Sequence, residues 1–309
     1  MRVLVDFPWE NAADWLAEMN RQAVHHALQS WPDIDDPGSI EVAVVWTPEA
    51  GLFAELQCLK AIIVPGAGVD QLWRHADRLP DVPIVRLADP VMATRMAEYV
   101  LAMVLDHHRG FARYRQQQSQ RVWTRHFHAD ACEVRVGILG LGALGSATAR
   151  HLSAVGYKVA GWSRRPKTIK DVETAAGLAE LPGFLKKTDI LVCLLPLTAS
   201  TRGLLNAQTF SHLPDGALVI NAARGGHLVA PDLLDALDRG KLGGAVLDVF
   251  EDEPLVDDSP LWLHPKITIT PHIASLSNPV TGVRQIVRAL DDLEAGRKPA
   301  HLVDSAAGY

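Results

Sequence analysis

The chain has 309 residues, of which 48% are hydrophobic and 21% charged, and its formal net charge is -6 at pH 7. This composition is that of an ordinary globular protein and excludes an intrinsically disordered chain. The acidic balance argues against a general nucleic-acid binder, and no run of about 18 apolar residues predicts a membrane span. Cys58, Cys132 and Cys193 lack CxxC spacing, which favours reduced thiols in the cytoplasm over a disulfide framework.

Short apolar runs alternate with helical stretches along the chain, which predicts βαβ units and an α/β fold with doubly wound parallel sheets. Several runs are apolar at every position, as strands covered by helices on both faces require. The predicted strands cover residues 3–5, 42–45, 61–64, 134–139, 157–161, 190–195, 217–221, 244–248 and 267–270.

The length predicts two domains at about 150 residues each. A helical pattern over residues 91–120, interrupted only by Gly110, is a natural connector between them. A second boundary is predicted near residues 271–279, before a last helix over 280–295. We therefore expect a smaller substrate domain of residues 1–98 and 276–309, with a dinucleotide-binding domain of residues 99–275 inserted in it.

The strand over 134–139 runs directly into a glycine-rich turn and then into a helix predicted over 146–155. In a GxGxxG turn, the first glycine permits the tight turn, the second lets the backbone approach a pyrophosphate, and the third lets helix and strand pack closely. Amide groups at the helix N-terminus then face the phosphates. We therefore expect a dinucleotide to be bound by Gly140, Gly142, Ala143, Leu144 and Gly145.

The next predicted strand ends in Trp162-Ser163-Arg164-Arg165, without an acidic residue. NAD sites usually place Asp or Glu at this position, where it accepts hydrogen bonds from the ribose hydroxyls. A hydroxyl and guanidinium groups bind a 2′-phosphate instead. The sequence thus favours NADP(H) over NAD(H), with Ser163, Arg164 and Arg165 as cofactor residues. The alternative is that the two arginines are solvated loop residues.

Three polar residues each follow a predicted strand: Arg224, Glu253 and His272. Because the carboxyl ends of parallel strands line the ligand crevice, we expect them to converge. A histidine can protonate the oxygen of a ketone that receives hydride, a carboxylate can orient the imidazole, and an arginine can bind a substrate carboxylate. The set predicts a reductase of 2-keto acids. Taken singly, each residue has an ordinary alternative in a turn, a cap or a solvated surface.

The segments GILGLGALG, NAARG, GAVLDVFEDEP and TPHIA occur in the order found in the D-isomer-specific 2-hydroxyacid dehydrogenases, and the chain resembles that family. The resemblance implies a Rossmann domain inserted in a flavodoxin-like substrate domain. It also implies that Arg224, Glu253 and His272 are catalytic. Glu253 is chosen over Glu251 because the family's glutamate immediately precedes the proline. Further cofactor contacts are implied for Asp248, at the nicotinamide amide, and for Leu195, Pro196 and Ala222.

Within the family, the chain is most similar to the bacterial A-type glyoxylate/hydroxypyruvate reductases, in the segments 45–48, 66–70, 96–99, 162–164 and Gly308-Tyr309. This implies an NADPH-dependent homodimer that reduces glyoxylate to glycolate and hydroxypyruvate to D-glycerate. It also places Trp46 near the substrate. Ala67 and Gly68 lie in a loop of small residues whose backbone amides can bind a carboxylate. One departure is Ala274-Ser275, where many family members have a glycine pair.

Two alternatives remain open on sequence grounds. One is a broader NAD-dependent D-2-hydroxyacid dehydrogenase, and the other is a nucleotide-sensing binding protein similar to the family's co-repressor relatives. A metal site is not expected, because adjacent histidines such as His107 and His108 point about 100° apart on a helix. The basic stretch over 109–125 is interpreted as a solvated helix face or a dimer contact rather than a nucleic-acid site.

Overall fold

The computed structural model describes residues 1–7, 11–73 and 79–304. Its strands form two sheets in which every pair of neighbouring strands is parallel. The predicted α/β class with parallel sheets is confirmed. The Gly308-Tyr309 pair, which carries part of the resemblance, lies outside the described residues.

One compact unit consists of Met1–Met92 and Ser277–Tyr309. Its strands are β1 (Arg2–Asp6), β2 (Ala27–Ser30), β3 (Val42–Val45), β4 (Ala61–Val64) and β5 (Ile84–Arg86), and its helices include α1 (Ala12–Gln22), α2 (Leu52–Glu55), α3 (Asp70–Trp73) and α10 (Pro279–Glu294). The strand order β2-β1-β3-β4-β5 is that of flavodoxin-like folds.

The core of this unit follows from the twofold alternation of side chains along its strands. Val3 and Val5 of β1 pack in one apolar cluster with α1 and α10, whereas Leu4 packs on the other face with α2. All three side chains are buried, so β1 is apolar at successive positions, as a strand covered on both faces must be.

The second unit consists of Ala93–Leu276. Its strands are β6 (Arg135–Leu139), β7 (Lys158–Ser163), β8 (Glu173–Ala176), β9 (Ile190–Cys193), β10 (Ala217–Asn221), β11 (Leu242–Leu247) and β12 (Ile267–Ile269). They lie in the order β12-β11-β10-β9-β6-β7-β8. This is the doubly wound order of dinucleotide-binding folds with one strand added. The order reverses between β6 and β9, and the ligand crevice of such a sheet lies there, outside the carboxyl ends of the strands.

The helices of this unit are α5 (Phe111–Gln120), α6 (Ala143–Val155), α7 (Gly177–Leu185), α8 (Ala207–His212), α9 (Ala230–Asp238) and most of α4 (Pro90–His108). They cover both faces of the sheet. In β9, Ile190 and Val192 pack with α4 and α6, whereas Leu191 and Cys193 pack with α7, α8 and α9. The carboxyl ends of the strands are thereby left to carry the loops that hold the candidate site residues.

Two features of the elements go beyond the predictions. The helical pattern over 91–120 forms two helices, because Gly110 adopts a left-handed φ of 68° between α4 and α5. Strands β2, β5 and β8 were not predicted, and all three lie at sheet edges. An edge strand has only one neighbour, so β2 and β8 remain partly exposed and show no continuous apolar run.

Candidate active site

The glycine-rich turn connects β6 to α6 at the point where the strand order reverses. Gly140 has φ +99°, and a Cβ there would lie 2.7 Å from the Leu194 carbonyl oxygen. A Cβ on Gly145 would lie 1.9 Å from the Gly140 carbonyl oxygen. The chain's own packing therefore requires glycine at both positions, as the motif predicts.

Gly142 differs from these two glycines. Its φ of -72° suits any residue, and a Cβ added there would meet no protein atom within 4 Å. Helix α6 begins at Ala143, three residues earlier than expected, so its first amides come directly after Gly142. The protein's own packing does not explain this glycine, whereas a pyrophosphate approaching the backbone would explain it.

Strand β7 ends at Ser163, whose hydroxyl is buried and donates to the Arg165 carbonyl oxygen at 2.7 Å. This bond closes a turn from which Arg164 and Arg165 extend as exposed side chains. A third cation, Lys167, was not among the predicted residues, and its Nζ donates to the Leu141 carbonyl oxygen of the glycine-rich turn at 2.6 Å. Its position two residues beyond Arg165, in the same basic segment, could have indicated it from the sequence.

The loop after β9 contains Leu195 and Pro196, and the loop after β10 begins with Ala222. Leu195 and Ala222 are buried. The Pro196 carbonyl oxygen accepts a hydrogen bond from the Thr201 hydroxyl at 2.7 Å and lies 3.3 Å from Nε2 of the buried His227. These residues lie at the carboxyl ends of adjacent strands, as the resemblance implied, and their cofactor contacts stay predictions.

Arg224 follows β10 in a loop held by hydrogen bonds from side chains to the loop's own carbonyl oxygens. Asn221 Nδ2 donates to the Arg224 carbonyl oxygen at 2.9 Å, and Arg224 Nη1 donates to the Ala223 carbonyl oxygen at 2.7 Å. A Cβ on the next residue, Gly225, would lie 1.8 Å from the carbonyl carbon of Phe250. Glycine is needed there because the loops after β10 and β11 touch.

Glu253 and His272 meet across the loops that follow β11 and β12. His272 Nδ1 lies 2.7 Å from Glu253 Oε2, and the backbone amide of Phe250 donates to Glu253 Oε1 at 2.9 Å. Because an ionised carboxylate only accepts hydrogen bonds, Nδ1 carries the shared proton. This leaves Nε2 as the ring nitrogen that can exchange a proton with a substrate.

The electrostatics of Glu253 support an ionised carboxylate. Burial alone would raise the pKa of Glu253, but the hydrogen bond and charge of His272, the Phe250 amide and the charge of Arg224 together lower it below the ordinary value of 4.5. Arg224 thus acts on the same carboxylate that holds His272. The three residues that the sequence singled out are brought together by neighbouring parallel strands.

The backbone of His272 has φ +53°, in the left-handed region that costs a residue other than glycine about 1–3 kcal/mol. Asp248 holds this conformation. The His272 amide donates to the Asp248 carbonyl oxygen at 2.8 Å, and the Asp248 carboxylate, only 1% exposed as a residue, accepts from the amides of Ile273 and Ala274 at 2.9 Å each. The predicted nicotinamide contact of Asp248 stays a prediction.

The predicted substrate residues of the other unit lie in and beside the loop after β4. The Trp46 ring packs against Gly66, and the Ala67 carbonyl oxygen accepts from Arg86 Nη1 at 3.3 Å. Within the described part of the chain, the backbone amides of Ala67 and Gly68 donate to no acceptor. Two adjacent donors of this kind suit a carboxylate, which supports the role expected for the loop.

Within residues 1–7, 11–73 and 79–304, no helix is long and apolar enough to cross a membrane. The described side chains also include no group of three or more His, Cys, Asp or Glu arranged to hold a metal ion.

The family model described as "D-isomer specific 2-hydroxyacid dehydrogenase, NAD binding domain" matches residues 101–274. The chain is also 40% identical, over 314 residues, to glyoxylate/hydroxypyruvate reductase A of Serratia proteamaculans, and the match covers 100% of both chains.

Solved structures extend the likeness to the whole fold. The NADPH-dependent glyoxylate/hydroxypyruvate reductase of Sinorhizobium meliloti, in complex with NADP and sulfate, matches with a TM-score of 0.95 and 38% identity, covering 100% of this chain and 99% of that one. A D-isomer-specific 2-hydroxyacid dehydrogenase of Xanthobacter autotrophicus Py2, in complex with NADPH and MES, matches with a TM-score of 0.94 and 42% identity over 99% of each chain. The resemblance seen in the sequence is confirmed, and the chain belongs to the D-isomer-specific 2-hydroxyacid dehydrogenase family.

Proposed function

We propose that this chain is an NADP(H)-dependent 2-hydroxyacid dehydrogenase that reduces glyoxylate to glycolate and hydroxypyruvate to D-glycerate. The observation that carries the proposal is the 2.7 Å contact of His272 with Glu253, at the carboxyl ends of the strands of a dinucleotide-binding sheet. The printed names of relatives, glyoxylate/hydroxypyruvate reductase, support the choice of substrates.

The residues at the turn and at the end of β7 fit NADP(H). Gly142 leaves open space beside the helix N-terminus, which suits a pyrophosphate. Arg164, Arg165 and Lys167 place three cations after β7, and residues 158–170 include no acid that would repel a 2′-phosphate. Three similar structures were solved with NADPH or NADP. NAD(H) is accordingly less favoured.

When bound, the nicotinamide supplies the hydride that reduces the keto carbon. His272 Nε2 donates a proton to the keto oxygen, so that the carbonyl becomes a hydroxyl. Glu253 keeps Nδ1 protonated and stabilises the imidazolium before the transfer. Arg224 binds the substrate carboxylate and polarises the keto oxygen. Substrate contacts of Trp46, Ala67 and Gly68 complete the proposal, since both loop amides can donate to a carboxylate.

An NADPH-oxidation assay across glyoxylate, hydroxypyruvate, pyruvate and larger 2-keto acids tests this function. We expect turnover with glyoxylate and hydroxypyruvate, and a preference for NADPH over NADH. A preference for NADH would favour the broader NAD-dependent dehydrogenase. If NADPH binds but no 2-keto acid is reduced, the protein is a nucleotide-sensing binding protein and the proposal fails.

The cofactor part of this prediction has a matched control. Replacing both Arg164 and Arg165 with alanine should raise KM for NADPH by about 10-fold or more and leave KM for NADH nearly unchanged, because only the 2′-phosphate loses charge-assisted bonds. Arg239, an exposed arginine paired with Asp235 on α9, provides the control substitution Arg239→Ala. Equal losses with both nucleotides would contradict the 2′-phosphate role.

The proposal includes a homodimer formed through the dinucleotide-binding unit. The segment between α5 and β6 carries two almost fully exposed aromatic side chains, Trp123 at 94% and Phe127 at 104% exposure. Exposed aromatic patches are typical of interaction surfaces. We expect a dimer in sedimentation analysis, and a monomer for the Trp123→Asp, Phe127→Asp double variant. Leu263→Asp, at a 90% exposed position elsewhere in the unit, is the control. A monomeric wild-type protein would contradict this assembly.

The three cysteines bear on where the protein works. Cys58 and Cys132 are exposed free thiols, and Cys193 is buried in β9. Exposed thiols persist in a reducing compartment, so we place this activity in the cytoplasm. Fractionation of cells that produce the protein would test this location, and recovery outside the cytoplasm would contradict it.

A further inference from the structure

Asp248 holds three successive backbone amides of the loop that carries His272. Its carbonyl oxygen accepts from His272, its Oδ1 from Ile273 and its Oδ2 from Ala274, at distances of 2.8, 2.9 and 2.9 Å. One buried residue at the end of β11 thus fixes the main chain of the residue proposed as proton donor and of the two that follow. The Asp248 carboxylate can fix these amides only if its own orientation is fixed.

Two hydroxyl groups hold that carboxylate. The Thr270 hydroxyl donates to Asp248 Oδ1 at 2.6 Å, and Tyr99 Oη lies 2.6 Å from Thr270 Oγ1. Since the single proton of Thr270 goes to Asp248, Tyr99 must be the donor in the second bond. The bonds therefore run in one direction, from Tyr99 on α4 to Thr270 after β12 and then to Asp248.

The chemical state of Tyr99 keeps this direction constant. Burial, with a smaller contribution from the charge of Asp248, raises the pKa of Tyr99 to about 12 against the opposing effect of its bond to Thr270. Its phenol therefore stays protonated, and stays a donor, at neutral pH and well above it. The direction of the bonds from Tyr99 to Thr270 and on to Asp248 is therefore the same over that pH range.

We infer that Thr270 and Tyr99 are positioning residues that act through Asp248 to hold His272 in its left-handed backbone conformation, with Nδ1 against Glu253. The left-handed conformation is unfavourable for histidine, so it persists only where neighbouring bonds impose it. If the bonds loosen, the loop relaxes and the imidazole leaves the carboxylate. This inference rests on the proposed reductase function, because the residue that Thr270 and Tyr99 position is the proposed proton donor.

The test compares Thr270→Val, which keeps the branched shape and removes the hydroxyl, with Thr270→Ser, which keeps the hydroxyl. For glyoxylate reduction, we expect the valine variant to lose about 10- to 100-fold in kcat, since displacements near 1 Å have effects of that size. KM for NADPH should change by a smaller factor than kcat, because the glycine-rich turn is unaltered and only the predicted contact of Asp248 with the nicotinamide amide is disturbed. The serine variant should keep most of the activity. Wild-type kcat in the valine variant would overturn the inference.

Tyr99→Phe extends the test to the start of the chain, and Tyr157→Phe is its matched control. Tyr157 Oη also makes a hydrogen bond, at 2.8 Å to His108 Nδ1, but it lies before β7, at the opposite ends of the strands from His272. We expect a smaller loss of kcat for Tyr99→Phe, about 3- to 10-fold, because it removes one neutral hydrogen bond. Equal kcat values for the two phenylalanine variants would overturn the role of Tyr99.

Hydrogen–deuterium exchange distinguishes failure of this inference from failure of the proposed function. Exchange at the amides of His272, Ile273 and Ala274 needs no substrate, and we expect it to quicken by about 10-fold or more in Thr270→Val. If wild-type protein reduces no 2-keto acid, the function fails whatever the exchange shows. If wild-type protein is active and the valine variant exchanges like the wild type, the positioning role fails alone.

Discussion

Replacing His272 with alanine should lower kcat for glyoxylate reduction by about 100- to 10,000-fold, the usual contribution of a positioned acid or base. The physical reason is that, in the proposed reaction, Nε2 provides the proton that the keto oxygen must receive. The Kd for NADPH, measured by nucleotide fluorescence, should stay within about twofold, because the turn at Gly140–Gly145 is untouched. Single-turnover kinetics with NADPH would separate the chemical step from product release.

A matched control for this substitution exists in the same unit. His264 lies before β12, and its Nε2 is 3.4 Å from Asp238 Oδ1, so it too pairs with a carboxylate, away from the proposed site. His264→Ala should keep kcat near the wild-type value. Near-normal turnover by His272→Ala would exclude His272 as the proton donor, and a comparable loss in both variants would point to a folding effect.

Replacing Arg224 with lysine should reduce kcat/KM for glyoxylate by about 30-fold or more, equivalent to about 2 kcal/mol. Lysine keeps the positive charge but cannot reproduce the planar pair of donors that binds a carboxylate. The loss should appear in KM for the keto acid as well as in kcat, if the same guanidinium binds the carboxylate and polarises the keto oxygen. Steady-state kinetics at saturating NADPH measures both.

Arg135→Lys is the control for the arginine substitution. Arg135 begins β6 and binds both carboxylate oxygens of Asp189, through Nη2 at 2.7 Å and Nε at 3.0 Å. This bidentate ion pair of Arg135 with Asp189 lies at the opposite end of the strands from Arg224. Because it is exposed, it contributes little to stability. We expect wild-type kinetics for Arg135→Lys. If Arg224→Lys behaves in the same way, Arg224 does not bind the substrate carboxylate.

Elements buried on both sides were the easiest to predict. Strands β3, β4 and β10 were predicted with the bounds that the structure shows, because β3 and β4 are continuous apolar runs and β10 is one up to its last residue, Asn221. Strands β2 and β8 lie at sheet edges, where partial exposure allows polar residues and removes that pattern. The break between α4 and α5 depends on the backbone conformation of one residue, Gly110, which the apolar periodicity does not report.

Local order along the chain was sufficient to predict the candidate site. The glycine-rich turn after β6, and the polar residues Arg224, Glu253 and His272 after three successive strands, are patterns of adjacency in the sequence. Parallel strands bring such residues to one edge because their carboxyl ends coincide. The family and the α/β class with parallel sheets followed from the same adjacent segments.

Tertiary structure alone decided how the proposed proton donor is held. Tyr99 and Thr270 are 171 positions apart, and Asp248 precedes Thr270 by 22, so no local pattern joins them. The left-handed backbone of His272 and the bonds of Asp248 to three successive amides exist only when β11, β12 and α4 are packed together. Residue types and their order along the chain determine which groups reach the crevice, whereas hydrogen bonds between distant segments determine their conformation there.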